Sequence, residues 1–106
     1  MKAVLWGANG AMGKLIGGIL GDEVVGRVSA DGCNGVARSA QELGPVDADV
    51  VIDFSHHSAA GDVIAFAKAH RCAAVIGTTG HTDEEKARIH AAAAEIPVFY
   101  AGNMSL

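Results

Sequence analysis

The sequence predicts an α/β fold, a doubly wound parallel sheet with helices on both faces. Three observations carry that prediction. Short apolar runs alternate with segments of helical periodicity along the whole chain. The first run ends in a glycine-rich turn that leads straight into a helix. The chain has 106 residues, half of them apolar, which suits one folded domain.

Residues 2–6, "KAVLW", form an apolar run before a glycine turn, as a buried strand does. The next segment places Met12, Leu15, Ile16, Ile19 and Leu20 at helical offsets, so these residues are expected to form its inner face. Gly17 and Gly18 weaken that helix by roughly 1 kcal/mol each relative to Ala, and Gly21 is a plausible stop. A second strand is expected over 23–28, and one short helical turn over 39–43 within a Gly-, Ser- and Asp-rich stretch. "ADVVIDF" (48–54) is a continuous apolar run ended by Asp53, the pattern of a parallel strand covered on both faces. Ser58 is positioned to cap a helix over 59–70, and "CAAVIG" (72–77) reads as another buried strand. Thr82 and Glu85 form a capping box that opens a helix running to about Glu95. Pro97 begins the last strand, "PVFY".

The composition narrows the functional classes. Net charge is −4 and no Lys/Arg cluster occurs, so nothing marks a nucleic-acid or acidic membrane partner. No segment approaches the roughly 18 apolar residues of a membrane span, and the N-terminal run is too short for a signal peptide. Cys33 and Cys72 lack metal-ligand spacing, and Cys72 reads as a buried thiol. The expected setting is the cytoplasm.

In a doubly wound sheet, ligands bind beyond the carboxyl ends of the strands. After the first strand stand Gly7, Ala8, Asn9, Gly10, Ala11, Met12 and Gly13. Gly7 allows a sharp exit from the strand, Gly10 lets a phosphate approach the helix N-terminus, and Gly13 lets the helix pack closely on the sheet. The same spacing also suits a tight turn that holds nothing. After the second strand, where an acid favours NAD by binding the ribose, stands Ser29, with Asp31 two residues on. Arg27 and Arg38 can supply positive charge for a 2′-phosphate, so the choice between NADH and NADPH stays open. After the third strand, Phe54 and Ser55 precede His56 and His57. Phe54 either caps the core or meets a flat ring. The adjacent histidines have no third ligand at suitable spacing, so no metal site is expected. After the fourth strand, Gly77, Thr78 and Thr79 offer hydroxyls and free N–H groups beside a small lining.

"GANGAMG", "DVVIDFS", "GTTG" and "NMSL", each after or on successive strands, together resemble one family along the whole chain: 4-hydroxy-tetrahydrodipicolinate reductase, also called dihydrodipicolinate reductase. That resemblance implies a Rossmann-like dinucleotide-binding domain over residues 1–106 and reduction of a cyclic imine dicarboxylate by NADH or NADPH in lysine and diaminopimelate biosynthesis. It implies that Gly7, Ala8, Asn9, Gly10, Ala11 and Met12 hold the pyrophosphate. Gly77, Thr78 and Thr79 meet the nicotinamide end, as do Ala101, Gly102, Asn103 and Met104, while Phe54 and Ser55 line the groove.

Two departures stand out. Ser29 occupies a position where the family commonly has an acid. The family's second domain, which carries a His-His…Lys motif, binds the dicarboxylate and builds a homotetramer, has no counterpart in this chain. His56 and His57 do not stand where that motif does, so no catalytic residue is expected here, and the chain is expected to bind cofactor without turnover. The rival readings are another nicotinamide dehydrogenase, which would lack "GTTG" with "NMSL", and a stand-alone nucleotide-binding or redox-sensing module.

Overall fold

The structure, a computed structural model, describes residues 1–101. Its elements run β1 (Ala3–Trp6), α1 (Ala11–Leu20), β2 (Val24–Val28), α2 (Ala40–Leu43), β3 (Val50–Asp53), α3 (Ala60–His70), β4 (Ala73–Ile76), α4 (Asp83–Ala92) and β5 (Val98–Tyr100). The five strands make one parallel sheet in the order β2-β1-β3-β4-β5. The step from β1 to β2 runs one way across the sheet and every later step runs the other. With right-handed crossovers, α1 therefore covers one face and α2, α3 and α4 the opposite face. The reversal lies between β1 and β3, a switch point at which the strand ends open a crevice.

Local chemistry sets most element ends. Gly21, at φ +55°, closes α1, and a 3₁₀ turn over Gly21–Glu23 takes up the start of the expected second strand. The Ser39 hydroxyl accepts the Glu42 N–H at 3.2 Å and starts α2. At α4 the capping box is complete: Thr82 Oγ1 accepts the Glu85 N–H at 3.2 Å, and Glu85 Oε1 accepts the Thr82 N–H at 2.8 Å. That helix ends at Ala92, three residues short of Glu95, and continues as turns. Ser58 does not cap α3. Its N–H and hydroxyl both meet the His56 ring, and a 3₁₀ turn, His57–Ala59, leads into the helix instead.

Between the sheet and α3 and α4, Val4, Trp6, Val51, Ala74 and Ile76 pack against Val63, Phe66, Ala67, Ile89 and Ala92. The Trp6 and Phe66 rings meet edge-on at 5.7 Å. Cys72 is buried with its thiol donating to the Ala48 carbonyl at 3.2 Å, while Cys33 is exposed, and both are free thiols. Among the described residues, no helix is long and apolar enough to cross a membrane.

The inner face of α1 differs from the one its apolar spacing predicts. Met12, Leu15 and Ile19 are exposed, Ile19 at 75%. The stripe that meets the sheet is Gly13, Ile16, Gly17 and Leu20, which has the same helical offsets turned by one residue. Gly13 is buried, and a Cβ there would run into the Gly7 carbonyl oxygen and the Ala8 backbone. At Gly17 a Cβ would stand 3.4 Å from Leu5 Cδ1. Two glycines one turn apart let the helix axis come down close to β1, and that depth fixes its rotation. The row Leu5, Ile52, Val75 and Phe99 lies in register across the sheet. Along it exposure rises from the buried Leu5 to Phe99 at 64%.

Candidate functional site

A groove of about 440 Å³ opens at the switch point, lined by Ala11, Met12, Phe54, Ser55, His56, His57, Gly77, Thr78 and Thr79. Three strand ends meet there: the start of α1 after β1, the loop after β3 and the loop after β4.

The β1–α1 turn is held by its own backbone. Gly7 leaves β1 at φ +84°, and its N–H and that of Ala8 both donate to the Val28 carbonyl at the end of β2, at 2.8 and 3.1 Å. A side chain at Gly7 would collide with the Phe54 carbonyl, so β1 and β3 leave the sheet in backbone contact. Gly10 precedes α1 in an extended conformation, and no side chain caps the helix. The N–H groups of the first turn, which lack intrahelical acceptors, thus face outward where Ala11 and Met12 line the groove. Neither α1 nor α3 has a side-chain cap, whereas Ser39 and Thr82 supply one for α2 and α4.

The β3 end is organised by Asp53, which is fully buried. Its Oδ1 accepts both the N–H of Ser55, at 3.0 Å, and the Ser55 hydroxyl. Thr78 Oγ1 also accepts the Ser55 N–H, at 2.9 Å, and donates to the Asp53 carbonyl at 3.3 Å. This links the loops after β3 and β4. The Phe54 ring fills the space where a side chain at Gly77 would stand. Phe54 therefore does not cap the core: it is half-buried and forms one wall of the groove. Burial raises the Asp53 pKa above the usual carboxylate range, opposed by the Ser55 and Thr78 hydrogen bonds and by the charge of His81.

The linkage sign follows from that shift. Between the ordinary aspartate value of 3.8 and the raised native value, the native state holds more protons than the unfolded chain. Stability conferred by Asp53 therefore falls as pH rises through that window. An Asp53→Asn variant keeps an oxygen for Ser55 and cannot ionise. Its melting temperature, relative to wild type, is expected to rise as pH goes from 3.5 to 7. A difference constant with pH would contradict the assignment.

His57 sits in the same groove and pairs with Glu85 at 2.7 Å, tying the β3 loop to the start of α4. The Thr82 N–H, and then His57, hold the Glu85 carboxyl below its usual range. The two histidine rings lie side by side at 4.3 Å rather than pointing apart, with their Nδ1 atoms on Ser58 and Glu85. Sequence spacing alone places neither histidine in the groove; the one available signal was their position directly after an apolar strand.

Other expected site residues lie elsewhere. Ser29 is buried in a tight turn after β2, its carbonyl accepting the Gly32 N–H at 3.0 Å. Asn9 points away from the groove, and its side-chain amide donates to Asp31 Oδ1 at 2.7 Å and to the Cys33 carbonyl at 3.0 Å. The Cys33 N–H, and then Asn9, hold the Asp31 carboxyl below the usual range, so this acid is ionised and committed to the loop. Arg38 lies against Gly32 and makes no ion pair among the described residues. Ala101 is exposed directly after β5, and Gly102, Asn103 and Met104 lie outside the described residues.

A parallel sheet with one reversal, an uncapped glycine-rich helix start and a groove between three strand ends define a Rossmann-like α/β domain. Comparison with known proteins narrows the class: the chain belongs to the dihydrodipicolinate reductase family, whose model "Dihydrodipicolinate reductase, N-terminus" matches residues 1–104. Among curated relatives, a 4-hydroxy-tetrahydrodipicolinate reductase of Akkermansia muciniphila is 43% identical over 109 residues, covering all of this chain and 42% of the relative. The reductase of Alkaliphilus metalliredigens is 40% identical, again over the whole chain and 43% of the relative. That of Zymomonas mobilis is 36% identical with the same coverage. The chain thus spans less than half the length of these relatives.

Proposed function

We propose that this chain is the NAD(P)H-binding domain, residues 1–106, of a 4-hydroxy-tetrahydrodipicolinate reductase. The observation that carries this reading is the uncapped N-terminus of α1, which opens into the same groove as the loops after β3 and β4. Unpaired N–H groups and the positive end of the helix dipole favour an anion there. The residues present fit a pyrophosphate: a Cβ at Gly10 would have only the Gly7 and Phe54 carbonyl oxygens within 4 Å, so the glycine leaves open space above the helix start.

In this reading Gly7, Ala8, Gly10, Ala11 and Met12 cradle the pyrophosphate, and Asn9 holds the cradle to the β2 loop through Asp31. Phe54 and Ser55 form one wall. Gly77, Thr78 and Thr79 orient the nicotinamide, with Ala101, Gly102, Asn103 and Met104 closing that end. When bound, the reduced nicotinamide supplies the hydride that converts a cyclic imine dicarboxylate to tetrahydrodipicolinate. The chain's own part is to bind and orient the dinucleotide. The acceptor must be held in a near-attack geometry for transfer, and the groups that do so belong to a second domain. This chain alone therefore binds cofactor without turnover. The full protein is a cytoplasmic homotetramer assembled through that second domain.

The β2 end supports acceptance of both cofactors. No acid projects freely at the strand tip, since Ser29 is buried and Asp31 is bound to Asn9 and Cys33, while the exposed Arg38, without an ion pair among the described residues, can meet a 2′-phosphate. Calorimetric titration with NADH and with NADPH is expected to show binding of both with Kd well under about 1 mM. Absence of binding by either at that concentration would sink the dinucleotide reading; tight NADH binding with none by NADPH would sink only the role of Arg38.

A further inference from the structure

Two buried side-chain polar atoms lack a partner among the described residues: Asp53 Oδ2 and His81 Nε2. Asp53 closes β3, and His81 lies in the loop between β4 and α4. The His81 ring is 7% exposed and stands edge-on to Tyr100, with centroids 5.2 Å apart. Its Nδ1 is 2.9 Å from the Tyr100 hydroxyl, and Tyr100 is the last residue of β5. Burial and the charge of Glu85 raise the Tyr100 pKa, so that hydroxyl keeps its proton and can donate it to Nδ1. His81 is then left with a donor, Nε2–H, and Asp53 with an acceptor, Oδ2.

Polar side chains therefore cross-link three successive strand ends. Asp53 holds Ser55, Thr78 holds Ser55 to the β4 loop, and His81 holds that loop to the end of β5. Among the described residues, the His81 link is the side-chain hydrogen bond that joins the β4 loop to β5. Apolar packing would fix these loops less sharply, because a hydrogen bond to the buried His81 ring is costly to leave unmade.

We propose that His81 is a positioning residue for the nicotinamide end of the groove, setting the loop at 77–82 against the point where the chain leaves β5. This rests on the dinucleotide reading of the groove. It differs from that reading in its residue and in its effect. His81 touches no ligand, and its removal acts on one end of the bound dinucleotide only.

The test titrates this chain with ADP, a probe of the adenosine side, and with NADH. His81→Phe and Tyr100→Phe are each expected to weaken NADH binding roughly tenfold while ADP affinity stays within about twofold. The double variant is expected to be no worse than either single one, because both remove the same bond. His81→Asn places an amide near the Nδ1 position and is expected to restore most of the NADH affinity. Unchanged NADH binding in a folded His81→Phe or Tyr100→Phe variant overturns the proposal, as does equal loss of ADP and NADH. Should His81→Phe not fold, Tyr100→Phe, which removes one oxygen, carries the test. Wild-type chain that binds neither ligand fails the dinucleotide reading itself.

Discussion

Gly13→Ala is expected to lower the stability of this domain by about 3 kcal/mol, the upper range for forcing atoms into a filled site. For a domain of this size that corresponds to a fall in melting temperature of roughly 10–20 °C. The methyl group would meet the Gly7 carbonyl oxygen and stand 2.8 Å from Ala8 Cα, and both are backbone. Neither can swing aside as a flexible side chain does. Relief requires lifting α1 off β1, which exposes Leu5 and opens the turn that precedes the helix. Gly18→Ala on the same helix is the control. It is exposed with nothing within 4 Å of its Cβ position, so gained helix propensity should stabilise by about 1 kcal/mol. Thermal unfolding followed by circular dichroism separates the two, and equal melting temperatures for Gly13→Ala and wild type would show that the close approach is not there.

Gly10→Ala is expected to do the opposite: leave the fold and remove the ligand. Gly10 has φ −76° and ψ 170°, a conformation open to any residue. Its Cβ would stand 3.4 Å from the Gly7 oxygen, a contact that small shifts relieve. Alanine is a poorer N-cap than glycine, which costs about 1 kcal/mol at most. The methyl group, however, would project over the helix start where a pyrophosphate oxygen must approach the N–H groups. NADH affinity measured by calorimetry is expected to drop at least about tenfold, with the melting temperature within a few degrees of wild type. Full affinity in this variant would place the phosphates somewhere other than the α1 N-terminus.

These two glycines, three residues apart in one motif, show how far local reading reaches. Glycine spacing after a strand identifies the turn, and the offsets of "GANGAMG" assign Gly10 to ligand approach and Gly13 to packing. The strands, the Thr82 cap, the short helical turn near Ser39 and the stop at Gly21 were legible for a related reason. Each depends on residues within one or two turns of each other, and the chemistry of a cap or a left-handed turn is the same in any fold.

The cavity was legible in part. Phe54, Ser55, Gly77, Thr78 and Thr79 stood out because a doubly wound sheet gathers the segments after its strands. What those segments do to one another was not. The Ser55 N–H shared between Asp53 and Thr78, the His57–Glu85 pair and the His81–Tyr100 bond join residues 19 to 28 positions apart, apart from Asp53 and Ser55. Such pairs exist only once strand order puts β3, β4 and β5 side by side. Asp53 ended its apolar run as a turn signal does, yet it is buried and serves as the anchor of the next loop.

The sequence by itself determined the alternation of strands and helices, the glycine turn at the first of them and the family to which the chain belongs. Those properties follow from short-range periodicity and from motifs whose order along the chain is itself the signal. Only the tertiary structure decided which face of α1 is inner. Apolar spacing favours Met12, Leu15, Ile16, Ile19 and Leu20; the helix keeps Ile16 and Leu20 inward but turns Gly13 and Gly17 to β1 in place of Met12, Leu15 and Ile19. Hydrophobic periodicity measures what a helix gains by burying side chains. It cannot register that two backbones come close enough to leave no room for side chains at all.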